Sequence, residues 1–544
     1  MKSFLVITLF TVFISLANAT ENHTYESLGI DSIQKQQIEA KIIENSSLPI
    51  INISTRNNSE LILSRDIYTD CVVDVLNVDD DHILKEQSAG VKVRGNSSAY
   101  YGDVEQIKAN SVPYRIKFSK RTNLLGLHHG EKFKDWVLLK SGSKIIRHDY
   151  AYRMGRAVLG DDYYISDTTI VKVYVNDVLQ GTYSLCEQNK IDEKKVNVSV
   201  PEKNYNGTDI GYYFEIDNCY EDEENKGKYF EMDYEKASVK DILGIERPFW
   251  TAYYTLKNEF YCQDQLDFIK NYTNNVFKII YLATEKNIFK TFDENYNLVN
   301  STYTSAQETI SSVIDIDSVV NMYIIYENVH DYDVGEGSFY FAIDFSKESK
   351  IKKLQMISPW DFDWTYHDSP RRYWAGAFCE DSFIESNGDR SNPWFIELVK
   401  QEWFHELVSK KWEAVSSSVR DALAYDEQFI NDYLDDLLVI NKNVVKDADT
   451  IFEWIRQRLD WMDEAFTVGN GIVIPNEEQP IKAETSVSTS TTISTPILTS
   501  ISKEIIGDDE VIKEIDTDEE IEITEEADIN EEDSINELDS AEDN

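Results

Sequence analysis

The chain has 544 residues, 42% hydrophobic and 12% aromatic, which is ample apolar surface for a sizeable core, and its 21 glycines and 10 prolines are too few for a collagen-like or generally disordered chain. A formal net charge of −46 argues against nucleic acid as a partner, because phosphate backbones are gripped by clustered positive charge. Residues 503–544 hold 20 Asp and Glu against two Lys, a net −18, so the other 502 residues carry −28 and form an acidic but ordinary body.

In chain order, Lys2, the apolar run from Phe4 to Ile14 and the small-residue stretch Ala17-Asn18-Ala19 read as a signal peptide over residues 1–19. A secreted or cell-surface protein follows from that reading. The run is too short to span a bilayer, and no later stretch reaches the ~18 apolar residues that a membrane helix needs. Sequons at Asn22, Asn45, Asn52, Asn57, Asn96, Asn197, Asn206, Asn271 and Asn300 point to a glycoprotein, with some of them buried and unused. The cysteines Cys71, Cys186, Cys219, Cys262 and Cys379 are odd in number, so at least one thiol is left over. They form no CxxC pair, which argues against structural zinc.

Residues 20–47 read as a polar leader, and residues 48–467 as one continuous domain with no Pro/Gly/Ser-rich break. Alternation of apolar and polar residues predicts strands at Val91–Arg94 and Tyr114–Phe118. The runs 170–175 and 181–185 flank Asn176-Asp177 and predict a hairpin, and 211–217 is a further strand. Later, Phe395, Leu398, Val399, Phe404, Leu407, Val408 and Trp412 recur at spacings of three to five, the stripe of a core-facing helical segment, and 451–462 is another helix. The expected class is α+β, with a β-rich N-terminal part and a mainly helical C-terminal part. Residues 468–502 contain a Ser/Thr-rich linker, and 503–544 form an acidic tail expected to stay disordered.

The sharpest chemical feature is Ser358-Pro359-Trp360-Asp361-Phe362-Asp363-Trp364. In an extended backbone Asp361 and Asp363 project to one side, where two carboxylates repel unless a cation such as Mg²⁺ or Mn²⁺ lies between them. A solvated acidic turn is the alternative. Some thirty residues earlier, Glu327-Asn328-Val329-His330-Asp331 follows the apolar run 319–325. Asp331 there is placed to accept a hydroxyl proton, with His330 either a competing base or a structural histidine. Arg115 and Lys117 share one strand face and can grip a polyphosphate or simply face solvent. No Walker loop, no GxGxxG and no HRD or DFG motif is present.

Read together, Leu48-Pro49-Ile50-Ile51, Arg94-Gly95-Asn96-Ser97-Ser98, Pro113 to Phe118, Leu125-Gly126-Leu127, Trp136 to Leu139, Gly181 to Gln188, Asn328-x-x-Asp331, Ser338-Phe339-Tyr340 and Pro359 to Asp363 resemble, in that order, the CotH (spore coat protein H) family of atypical protein kinases. The resemblance implies a distant protein-kinase-like fold that binds ATP with Mg²⁺ (or Mn²⁺) and phosphorylates Ser or Thr of protein substrates. It makes Asp331 the catalytic Asp, Asp361 the metal-holding Asp with Asp363 a second candidate, Arg115 and Lys117 phosphate contacts, and Glu187 the carboxylate that orients one of them. Ser143-Lys144 departs from the family, which often has an Asp there. The family also includes surface adhesins and invasins that meet cell-surface or matrix receptors without needing catalysis. A DxD glycosyltransferase using a nucleotide sugar is the third reading.

Overall fold

A computed structural model describes residues 22–43, 46–140, 146–222, 225–233, 239–240, 246–247, 252–367, 369–376 and 392–467. The proposed signal peptide, Ser143-Lys144, Cys379, the linker and the acidic tail lie outside the described residues. The described residues all fall in one compact unit, Met1–Asn476.

The first half forms a closed barrel of seven strands: β1 (Ile50–Thr55), β2 (Thr69–Leu76), β3 (Leu84–Val93), β4 (Tyr114–Thr122), β5 (Phe133–Lys140), β6 (Thr168–Val175) and β7 (Val178–Glu187). Their order around the barrel is β1-β2-β3-β4-β5-β7-β6, and β1 closes it by pairing parallel to β6. Alternation decides the faces: Val91, Val93, Tyr114, Ile116, Phe118, Trp136 and Leu138 fill the interior. Lys92, Arg94, Arg115 and Lys117, between them in sequence, therefore point outwards. The expected hairpin is β6–β7, turning at Asn176 and Asp177 with φ of 50° and 55°, the paired left-handed geometry of a type I′ turn.

Residues 22–43, read from the sequence as part of a polar leader, fold onto this barrel. Tyr25, Leu28, Ile30 and, from the helix Ser32–Ile43, Ile38 and Ile42 pack on Ile50, Val72 and Leu76 of the outer face of β1 and β2. Five apolar residues scattered among polar ones carry no clear period, which is why the contact was not legible.

Beyond the barrel, β8 (Gly211–Ile216), β9 (Tyr229–Glu231), β10 (Tyr253–Leu256), β11 (Phe339–Asp344) and β12 (Gln355–Ile357) form a second sheet in the order β12-β11-β8-β10-β9. The architecture is mixed, β-rich in front and helical behind, although β11 and β12 return to the sheet from the helical half. The helix Ile316–Val329 runs buried through the main core and stops at His330, which takes a left-handed φ of 49°. The aromatic stripe 395–412 lies on two helices, Pro393–Val399 and Glu402–Asp432. The break falls at the one spacing of five, Val399 to Phe404, where Gln401 is extended (φ −95°, ψ 121°). Among the described residues no helix is long and apolar enough to cross a membrane.

The helix Arg147–Leu159 packs against Glu402–Asp432, and there Arg153 Nε meets Asp426 Oδ1 at 3.3 Å in the core. Burial, despite Arg153, pushes the Asp426 carboxyl up to about 7. An unfolded Asp titrates near pH ~4, so the stability tied to this proton is complete below that value and is lost as pH rises through 7. Asp426→Asn removes that titration. Thermal melts at pH 5 and pH 8 should show a smaller fall in Tm for the variant than for the parent.

Candidate active site

A cleft of about 850 Å³ opens between the outer face of the barrel and the second sheet. Its barrel wall carries Arg65, Lys92, Arg94 and Arg115, and its opposite wall carries Glu215, Asp217, Asp333 and Glu336. Asp361 and Asp363 also line it.

The segment holding these two aspartates is a loop rather than the extended strand expected. Asp361 has a left-handed φ of 63°, yet both carboxylates face the cleft, with 28% and 37% of their side-chain surface open. Phe362 does turn into the core, as expected, where it meets Tyr152 edge-on at 5.2 Å. Arg94 Nη2 stands 4.0 Å from Asp361 Oδ2, and its guanidinium lies over the Trp360 ring. His148 Nε2 is 2.7 Å from Asp363 Oδ1, and the Arg147 guanidinium donates to the Asp363 carbonyl. Burial and the neighbouring Asp363 push the Asp361 carboxyl up. Burial acts the same way on Asp363, but the His148 bond, with Arg94 and Arg147 behind it, brings that carboxyl below the usual carboxylate range.

Asp331 is almost fully buried just past the end of the Ile316–Val329 helix. Its carboxylate accepts the Asp333 amide at 3.0 Å and so caps the single 3-10 turn Tyr332–Gly335. Its carbonyl accepts from Trp374 Nε1 at 2.9 Å. Burial, then the charges of Asp333, Asp361 and Asp363, push its carboxyl well up, although Asp331 itself lies behind Asp333 and is not part of the cleft lining. His330 is a structural residue: it stacks on Trp374 with 4.6 Å between ring centres, and burial pushes its pKa far down.

The barrel residues divide. Arg115 reaches the cleft and pairs with Asp135 at 2.8 Å, whereas Lys117 points from the same strand face towards the Tyr68 ring, 5.9 Å away, and is not part of the cleft lining. Glu187 is fully buried and is bound to His128 Nδ1 at 2.9 Å and to the Asp167 amide. It orients neither Arg115 nor Lys117. Its strand β7 is separated from β4 by β5, and Asp135 on the intervening β5 makes the contact expected of Glu187.

Four residues of the cleft lining were missed. Arg94 belongs to a motif whose individual role the sequence does not disclose. Glu215 and Asp217 share one side of the strand by simple alternation, a signal that was available. Lys257, just after β10, bridges both, contacting Glu215 and lying 3.2 Å from Asp217. Burial and the Asp217 charge push Glu215 up to about 7 against the pull of Lys257.

A family model described as CotH kinase protein matches residues 91–462, more than half of the chain. The chain belongs to the CotH kinase family. No curated protein matches it. Arg94, Arg115, Lys117, His148, Glu187, Glu215, Lys257, Asp331, Asp361 and Asp363 all fall inside the matched span.

Kinases in general use a nucleotide and a divalent metal, so a CotH kinase should be able to hold a cation here. Among the described residues no three His, Cys, Asp or Glu side chains converge into a complete cage. Mg²⁺ does not need one, since it is commonly held by one or two carboxylates with phosphate oxygens and water completing the shell. Asp361 Oδ1 is buried without a hydrogen-bond partner, and Asp363 is beside it. That donor set fits the cation of a CotH kinase.

Proposed function

We propose that this protein is an exported or cell-surface atypical protein kinase that transfers the γ-phosphoryl group of ATP to Ser or Thr of protein substrates, with Mg²⁺ or Mn²⁺. The observation that carries the reading is the buried, unpartnered Asp361 Oδ1, set opposite Arg94 and in the charge field of Asp331 and Asp363. Two carboxylates facing a wall of guanidinium and ammonium groups suit an anionic polyphosphate that arrives with a divalent cation.

The cation, when bound, neutralises the phosphates. Arg94 and Arg115 offer the barrel-side charge, and Asp135 holds Arg115 in place. Asp331 orients the acceptor hydroxyl and takes its proton as the oxygen attacks phosphorus and the bond to ADP breaks. Export is supported by the sequons Asn22, Asn57, Asn197, Asn206, Asn271 and Asn300, all exposed, whereas Asn52 is buried and Asn96 lines the cleft.

A thermal-shift panel tests the reading, because a ligand stabilises the state it binds by RT ln(1+[L]/Kd). ATP with Mg²⁺ or Mn²⁺ should raise Tm in the parent and fail to do so in Asp361→Ala. Stabilisation by a UDP-sugar instead of ATP would indicate a glycosyltransferase. No shift with either nucleotide would leave a surface-binding protein that uses the fold as a scaffold.

A further inference from the structure

The two carboxylates of the 361–363 turn are held in different ways. Asp361 keeps a buried oxygen without a hydrogen-bond partner, while Asp363 is gripped twice by adjacent residues of one helix. Arg147 binds its carbonyl and His148 Nε2 its carboxylate. His148 is itself immobile: it is 2% exposed and stacks on Tyr152, one turn further along the helix, at 6.5 Å and 24°. Tyr152 in turn packs against Phe362 and Trp360 of the same turn, at 5.2 and 5.7 Å. The imidazole is thus packed in place with Nδ1 unpartnered, and its polar contact is the one from Nε2 to Asp363.

We propose that His148 is a positioning residue for the cation site, fixing the Asp363 carboxylate beside Asp361 and thereby raising the affinity of the turn for a divalent cation. The inference rests on the kinase reading for the identity of the site. A carboxylate left to rotate would turn from its like-charged neighbour, and bringing it back would oppose metal binding. Groups that hold a metal ligand from behind usually contribute about 10–100-fold to metal affinity.

The test is a Mn²⁺ titration of the full chain by electron paramagnetic resonance, with and without ATP, beside thermal melts in chelator. His148→Gln places an amide nitrogen where Nε2 stands, whereas the shorter His148→Asn places it nearer the position of Nδ1. Both are small and polar, so the comparison survives if His148→Ala does not fold. The expected result is Mn²⁺ affinity close to the parent for Gln, a loss of about 10–100-fold for Asn, and equal melting temperatures for the two without metal. Parent-like affinity in both variants, or equal losses in both, overturns the inference and leaves the kinase reading standing. A parent that binds Mn²⁺ neither alone nor with ATP overturns both.

Discussion

An Asp331→Asn variant should lose phosphate transfer by about 10²–10⁴-fold, the usual contribution of a positioned proton acceptor, while binding ATP and Mn²⁺ as the parent does. Asn is the informative choice. The Asp331 carboxylate also caps the turn Tyr332–Gly335 by accepting the Asp333 amide, and an Asn side-chain oxygen preserves that bond. Asp331→Ala removes cap and acceptor together, with a stability cost of about 1 kcal/mol from the cap alone. Part of that cost is offset, because burial and three nearby carboxylates already disfavour the ionised form that is being removed. Single-turnover transfer with saturating ATP isolates the chemical step, and nucleotide affinity measured alongside shows whether binding is intact. Asp361→Ala should fail differently, through the cation: its loss should deepen as Mn²⁺ falls, whereas the loss in Asp331→Asn should be the same at every metal concentration. Transfer by Asp331→Asn at the parental rate would remove the proposed base.

The elements of the barrel were legible because period-two alternation over β3, β4 and the β6–β7 hairpin has one physical cause, a filled interior and a polar exterior. The same logic correctly turned Arg115 and Lys117 to one face, but a face is a row and a cleft covers only part of it. Which of the two reaches the site depends on where the second sheet lies, and no local pattern encodes that. Glu187 shows the same limit in strand order: it is close to Gln188 of the cleft in sequence, yet β5 stands between it and β4. The pair Asp361 and Asp363 was found from spacing, although the geometry assumed for it was wrong. A left-handed Asp361 within a loop replaces the extended strand, and the flanking Trp360 and Phe362, buried as anchors, determine where the carboxylates go. His148 and Lys257 act across the chain on residues 215 and 40 positions away, which is beyond any motif read along the sequence.

The largest stability effect should come from a residue that never touches the cleft. Arg458, on the helix Val444–Ala465, is fully buried and spends its guanidinium on the loop below Asp331. It donates to the Glu327 carboxylate at 2.8 Å, to the Glu327 carbonyl, and to the carbonyls of Pro370 and Arg372 at 2.9 and 2.6 Å. Glu327, also fully buried, accepts the amides of Trp374 and Ala375 at 2.7 and 2.9 Å, and Trp374 in turn donates to the Asp331 carbonyl. Arg458→Met keeps much of the volume but leaves a buried carboxylate without its counter-ion, which typically costs about 3–5 kcal/mol. Replacing a buried pair by two apolar residues is often nearly neutral, so Arg458→Met with Glu327→Leu would ordinarily recover the loss. Here it should not, because both partners also satisfy buried backbone groups, and the double variant would orphan amides at 374 and 375 and carbonyls at 370 and 372. Urea melts of the two single variants and the double variant measure this directly. A double variant as stable as the parent would show that the pair is dispensable to the fold. A double variant no better than the singles would identify Arg458 and Glu327 as the frame on which the Asp331 loop is built.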